Sequence, residues 1–341
     1  MEATLKMTTL QTTMLQTTLL ATLFLSPFIE AEELSDYDRC LLNATRGQSG
    51  EMTIDEVRQR CELPEEEEPT EEPELLTQRR ELEKSTEFQP FVITPHKMNY
   101  ILPLTYTDSV NREAYQDTGW AEDLRKAEAE FQISFKIPLN YTDLLFEDDA
   151  LFFGFTLRSY WQVYAGSISR PFRETNYQPE LFYFTPTVWK PFGGNTWLGV
   201  GIEHQSNGQR QDLSRSWNRI YGSFTYEKNR LAVNFRPWWR IPEDSKGYAD
   251  DPDGDDNPDI RDYMGNFELS AVYKWDSVAL NFMGRENFET HNGYAELGMT
   301  FPIWGKVRGY AKYSTGYGEN LIDYNHKQQR FGLGIAITDI L

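Results

Sequence analysis

Between Leu231 and Arg240 the chain alternates. Leu231, Val233, Phe235, Pro237 and Trp239 share one face, and Ala232, Asn234, Arg236, Trp238 and Arg240 share the other. Successive side chains of an extended strand point to opposite sides, so this period of two marks a strand. The same pattern puts Phe267, Leu269, Ala271, Tyr273 and Trp275 against Glu268, Ser270 and Lys274. After the tight turn at Asp276-Ser277 it resumes with Val278, Leu280 and Phe282, and the last strand sets Phe331, Leu333, Ile335 and Ile337 against Arg330, Gly332, Gly334 and Ala336. Alternation alone fits a soluble sandwich as well as a membrane barrel. The connections separate the two, because short turns such as Asp276-Ser277 take turns with long loops such as 241–262. That asymmetry is the habit of outer-membrane barrels, whose turns are short on one side and long on the other. From about residue 95 onward the pattern marks about twelve strands with no helical interruption, an even number as such barrels require. The chain ends on a strand, which is placed to pair with the first and leave no edge. The expected fold is therefore all-β, a twelve-stranded antiparallel transmembrane β-barrel over 95–341.

Composition agrees. Aromatic residues make up 14% of the 341 residues, yet mean hydropathy is only −0.61, as strands with one lipid face and one polar face would give. A net charge of −20 argues against nucleic-acid binding, which needs a basic footprint. The acid is concentrated, with 15 Asp or Glu against 4 Lys or Arg between Glu32 and Glu74. Residues 1–31 read as a signal peptide. Lys6 is a thin basic start, Leu19 to Phe28 a short apolar core and Ala31 a cleavage point. The core is too short to span a bilayer as a helix. Residues 32–63 carry the two cysteines, Cys40 and Cys61. Export to an oxidising compartment favours a disulfide between them, closing a helical hairpin in a small periplasmic extension. Residues 64–94 read as an acidic linker, kept extended by prolines and like charges.

The segment with chemistry runs from Gly201 to Ile220. His204 and Ser206 are two apart and share a strand face with Leu198, Val200 and Ile202. On the returning strand Asn218 shares parity with Ile220 and Phe224. If Ser206 lies opposite Ser216, antiparallel pairing sets His204 opposite Asn218 on the lipid-facing wall. Ser206 is then a nucleophile, His204 its general base and Asn218 the residue that orients the imidazole. From spacing alone, an accidental polar strand end is the commoner explanation.

Five strings of the chain sharpen this: Ser169-Arg-Pro-Phe-Arg-Glu-Thr-Asn-Tyr177, His204-Gln-Ser-Asn-Gly208, Ser214-Arg-Ser-Trp-Asn-Arg219, Asp255-Asp-Asn-Pro-Asp259 and Leu321-Ile-Asp-Tyr-Asn325. In these strings and their order the chain resembles the outer-membrane phospholipase A family. The resemblance implies a calcium-dependent enzyme that hydrolyses acyl esters of membrane phospholipids and lysophospholipids (phospholipase A1 and A2 activity) and is active as a homodimer. It maps Ser206, His204 and Asn218 onto the triad and Gly208 onto an oxyanion N–H. It maps Ca²⁺ ligands onto the Ser214 side chain, the Gln209 carbonyl and the Ser169 carbonyl of a second copy, and hard oxygen donors of this kind suit calcium. Asp256 corresponds to a ligand of a second calcium site, whose other carboxylate position holds Gln211 here. The competing expectation is a non-enzymatic pore or structural barrel, which would use inward residues instead. His96, His291 and His326 are read as solvated.

Overall fold

The computed structural model describes residues 74–86, 88–89, 92–248, 251, 254–305 and 307–338, with Cys40, Leu42 and Cys61. The chain divides into two compact units, Met1–Glu71 and Glu72–Leu341. In the first, Cys40 and Cys61 form a disulfide with their Cα atoms 5.6 Å apart. The expected signal peptide and the body of the 32–63 hairpin lie outside the described residues.

The second unit is a closed antiparallel barrel of twelve strands: β1 Asn99–Thr107, β2 Ala127–Pro138, β3 Ala150–Trp161, β4 Phe172–Pro186, β5 Asn195–Ser206, β6 Ser216–Lys228, β7 Leu231–Arg240, β8 Phe267–Trp275, β9 Val278–Asn287, β10 Asn292–Trp304, β11 Val307–Gly316 and β12 Gln328–Thr338. Each strand pairs with its sequence neighbours, and β12 closes on β1 through pairs such as Phe331 with Tyr106. A two-residue bridge, Thr94–Pro95, adds to the end of β2. The register slips on both sides of Pro103. Proline has no N–H for the ladder, so a bulge there is the expected accommodation. At the short-turn end Asp276 takes φ +53° between paired Trp275 and Val278, the left-handed geometry that suits a two-residue hairpin.

The apolar lane is the outer one. Leu198, Val200, Ile202, Phe235, Trp239, Leu269, Phe331 and Leu333 are all exposed, whereas Ala232, Trp238, Arg240 and Arg330 are buried. Apolar-out and polar-in is the reverse of a soluble barrel and defines a lipid-facing wall.

Inside, charges are cross-linked. Glu130 contacts Arg158 at 2.8 Å and Lys312 at 2.6 Å, and both cations also reach Glu319, at 2.6 and 3.2 Å. Glu128 lies between Arg173 at 3.0 Å and Arg330 at 2.8 Å, and Arg173 continues to Asp323 at 2.9 Å. Glu319 and Asp323 belong to the 317–327 connection, which thereby folds into the long-loop mouth and buries Leu321 and Ile322. A paired network of this kind is what a dry or confined lumen demands of ionised groups.

Three expectations need correction. Part of the 64–94 linker is helical: Leu75–Thr86 forms α1. Its first turn has free backbone donors, and a carboxylate from the barrel wall takes them. Glu227 accepts from the N–H of Leu76 at 2.6 Å and of Thr77 at 3.1 Å, satisfying the orphan amides and complementing the helix dipole. Further along, Glu83 pairs with Arg79 at 2.8 Å and with Lys136 at 2.7 Å. His96 is not solvated either. It contacts Glu180 at 2.8 Å and stacks on Phe182. A second, short helix, α2 Ile260–Met264, interrupts the 241–266 connection.

Removing Glu128 leaves the guanidinium groups of Arg173 and Arg330 short of a carboxylate in a buried setting. Glu128→Ala should destabilise the barrel by about 3–5 kcal/mol, read as a lower denaturation midpoint in the heat-dependent gel shift of the refolded protein. Burial works against the Glu83 charge, but Lys136 and then Arg79 hold its carboxyl below the ordinary value. A depressed folded pKa means that this contribution is complete above the unfolded value of about 4.3 and fades as pH falls. Hydrogen exchange of the α1 amides should therefore accelerate, relative to the strand amides, once pH drops below about 4.

Candidate active site

Strands β5 and β6 form one hairpin at the long-loop end of the barrel. Ser206 pairs with Ser216 and His204 with Asn218. The lane that carries His204 and Ser206 is the one that exposes Leu198, Val200 and Ile202 to the lipid side. His204, Ser206 and Asn218 are themselves half-buried. His204 Nδ1 meets Asn218 Oδ1 at 2.9 Å. Oδ1 only accepts, so Nδ1 carries the proton and Nε2 keeps its lone pair. Among the described residues no hydrogen bond joins Ser206 Oγ to the ring. Both side chains lie on one face, and catalytic contacts of this kind often tighten only around substrate.

The hairpin loop 207–215 is built around Asn207, which is buried. Its Oδ1 accepts from the N–H of Gln209 at 3.2 Å and of Arg215 at 3.0 Å, and its Nδ2 donates to the Leu213 carbonyl at 2.7 Å and to Glu174 at 3.2 Å. Glu174 also accepts from the N–H of Ile322, so the site loop is tied to the connection that fills the mouth. Gly208 follows Ser206 by two residues and takes φ +64°, with Tyr177 packed where a Cβ would sit, 3.3 Å away. Both the conformation and the contact call for glycine.

The oxygen donors expected around a metal come together only in part. Ser214 Oγ donates to Asp256 Oδ2 at 2.6 Å. The other oxygen of Asp256 is held by Lys246 at 2.6 Å, so a cation already neutralises this carboxylate. Gln211 is exposed, at φ +55°. Ser169 lies on a different loop, exposed and at φ +58°, after the short turn Gly166–Ile168. No group of three or more His, Cys, Asp or Glu among the described residues is disposed to hold a metal. A set of one hydroxyl and backbone carbonyls from two loops suits a hard cation without needing such a cluster.

Four contributors escape sequence reasoning. Asn207 had a local signal, the Asn-Gly pair that marks a turn. Asn257 is fully buried and accepts from the N–H of Ser216. Lys246 neutralises Asp256 from within a long loop. Glu243 accepts from Asn218 Nδ2 at 3.0 Å. Its signal was parity: it continues the outward lane of Leu231, Phe235 and Trp239, and Trp239 lies opposite Ile220.

The family model of phospholipase A1 matches residues 76–337. Phospholipase A1 of Klebsiella pneumoniae is 38% identical over 253 residues, covering 74% of this chain and 84% of that one. The Escherichia coli K12 enzyme is 39% identical over 253 residues, with 74% and 83% covered. Among solved structures, outer membrane phospholipase A of Escherichia coli superimposes with a TM-score of 0.68 at 38% identity, over 75% of this chain and 95% of that one. An asparagine-to-alanine active-site mutant of that enzyme gives the same TM-score at 37% identity, with the same coverage. So does a calcium-bound dimer of the Salmonella typhi outer membrane phospholipase, at 38% identity. With a closed twelve-stranded barrel, an apolar outer wall and this similarity along most of its length, the chain belongs to the phospholipase A1 family of the bacterial outer membrane.

Proposed function

We propose that this phospholipase cleaves acyl esters with a Ser206-His204-Asn218 triad on its lipid-facing wall, requires calcium, and acts as a homodimer on phospholipids and lysophospholipids. One observation carries the reading: the His204 ring, held by Asn218 with Nε2 free, shares an outward strand face with Ser206. The Escherichia coli relative described as an active-site mutant is changed at an asparagine, which supports the role given to Asn218.

Ser206 Oγ attacks the ester carbonyl carbon while His204 Nε2 takes its proton. The carbonyl oxygen becomes an oxyanion, and the Gly208 N–H is the donor for it. When the tetrahedral species collapses, the C–O bond to the glycerol backbone breaks and His204 returns the proton to the leaving oxygen. Water then adds to the acyl-serine by the same route and releases a fatty acid. Asn218 orients the imidazolium without neutralising it. The Ser214 hydroxyl, the Gln209 carbonyl and the Ser169 carbonyl of a second copy would hold calcium, which would supply positive charge to stabilise the oxyanion. The salt link to Lys246 makes Asp256 an acceptor for Ser214 and argues against a separate second ion at that carboxylate.

The location selects the substrate. Acyl chains in the membrane lie against Leu198, Val200, Ile202 and Ile220, so the ester arrives from the bilayer plane and not through the lumen. The periplasmic side of such barrels carries the short turns, which places the hairpin loop at the outer leaflet. The paired lumenal charges weigh against a wide conducting pore.

Fatty-acid release from phospholipid by the detergent-refolded protein should fall by about a thousandfold or more in Ser206→Ala. Undiminished release would remove Ser206 from the mechanism. Chelation should abolish release by the wild type, and Ser214→Ala should move the calcium midpoint upward; an unchanged midpoint would exclude that hydroxyl as a ligand. Chemical crosslinking in membranes should show more dimer where release is high than where it is silent, and equal dimer fractions would contradict activation by association.

A further inference from the structure

A triad that ends in asparagine lacks two things an aspartate provides. It brings no negative charge, and its amide has nearly the same shape either way round. Flipped, Asn218 would present an N–H to His204 Nδ1. The ring would then have to carry its proton on Nε2, leaving no lone pair for the Ser206 proton. The site therefore needs a group that decides which end of the amide faces the ring.

Glu243 has the chemistry for that choice. An ionised carboxylate only accepts hydrogen bonds, so the amide end that faces it must be Nδ2, and Oδ1 is turned to His204. The two contacts are 3.0 Å and 2.9 Å. Glu243 is also held in place. The N–H of Ile241 donates to the Asn218 carbonyl at 2.8 Å, which ties the start of this segment to the same residue. Arg240 is fixed to Asp255 at 2.6 Å and to the Asn257 carbonyl at 3.2 Å. Pro242 restricts the backbone between these anchors and the carboxylate.

We propose that Glu243 is a positioning residue for acyl transfer. It selects the amide orientation of Asn218 that keeps His204 Nε2 free, and it supplies from one side chain further out the negative charge that the triad lacks. The inference rests on the reading of Ser206, His204 and Asn218 as the triad.

The test is fatty-acid release from phosphatidylcholine in mixed micelles with saturating calcium, with kcat and KM separated and folding checked by the heat-dependent gel shift. Glu243→Ala should lower kcat by about tenfold or more, the scale of one lost charge-assisted hydrogen bond, with KM and the calcium midpoint unchanged. Glu243→Gln keeps an acceptor for Asn218 but no charge, so its loss should be smaller. Asn218→Asp alone sets two carboxylates side by side. Combined with Glu243→Gln it restores a single carboxylate beside a neutral amide, so the double variant should exceed the product of the two single effects. Wild-type kcat in Glu243→Ala would overturn the proposal, as would a loss confined to KM or to the calcium midpoint, or purely multiplicative behaviour in the double variant. Should Glu243→Ala fail to fold, the Gln and double variants decide by the same criteria. Ser206→Ala is run beside them. Release that persists there overturns the triad itself, whereas abolished release with a silent Glu243→Ala overturns only the role of Glu243.

Discussion

Lipid offers no hydrogen bonds, and the rest of the structure follows from that. Every backbone N–H and C=O at membrane depth must find a partner within the chain, which leaves a sheet one stable solution: closure on itself. Pairing of β12 with β1 provides it, at the cost of a bulge around Pro103. Closure divides each strand into a lipid side and a lumen side. The lumen then has to neutralise the charges pointing into it, and Glu128, Glu130, Glu319 and Asp323 do so against Arg158, Arg173, Lys312 and Arg330, with Arg330 4.0 Å from Glu319 joining the two clusters. The network reaches Glu319 and Asp323, so the same ion pairs that satisfy the interior also seat the loop that fills its mouth.

The site uses this rigidity. A hairpin in a closed barrel cannot slide, because a one-residue slip would turn its apolar lane inward. Register thus fixes His204 opposite Asn218 as firmly as it fixes Leu198 opposite Phe224. Asn207 then shapes the loop from below, and the carboxylate of Glu174 joins that loop to the filled mouth. Main-chain pairing places His204, Ser206 and Asn218, while the loops at the rim carry Gly208, Ser214 and Glu243, to which the proposed mechanism gives the oxyanion, calcium and orienting roles.

How much of this could be read beforehand depended on the range of the interaction. Strand alternation is local, so the strands and the shared face of His204 and Ser206 followed from parity, the barrel from the alternation of short turns with long loops, and the pairing of Ser206 with Ser216 entered only as a condition that the register then met. Contacts made by distant segments were invisible. Residues 75–84 are mostly helix formers with an Arg79–Glu83 pair one turn apart, a signal masked by the acidic, proline-rich run before them, and the group that accepts the first amides of α1 is Glu227, about 150 positions away. His96 looked solvated for the same reason, since Glu180 and Phe182 reach it only after the barrel closes. Lys246 on Asp256 and Glu243 on Asn218 sit in a long connection, where parity gave the face of Glu243 but nothing named the partner of either. The residues that align by motif were legible, and those that orient them were not.

The proposed mechanism depends first on a nucleophilic serine that faces lipid. The most direct measurement is mass-spectrometric mapping of the refolded barrel after treatment with a long-chain alkylsulfonyl fluoride, which reacts with activated serines. A single adduct on Ser206, lost when His204 is replaced by alanine, is the predicted result. An adduct on another residue, or continued fatty-acid release from barrels fully modified at Ser206, would contradict it.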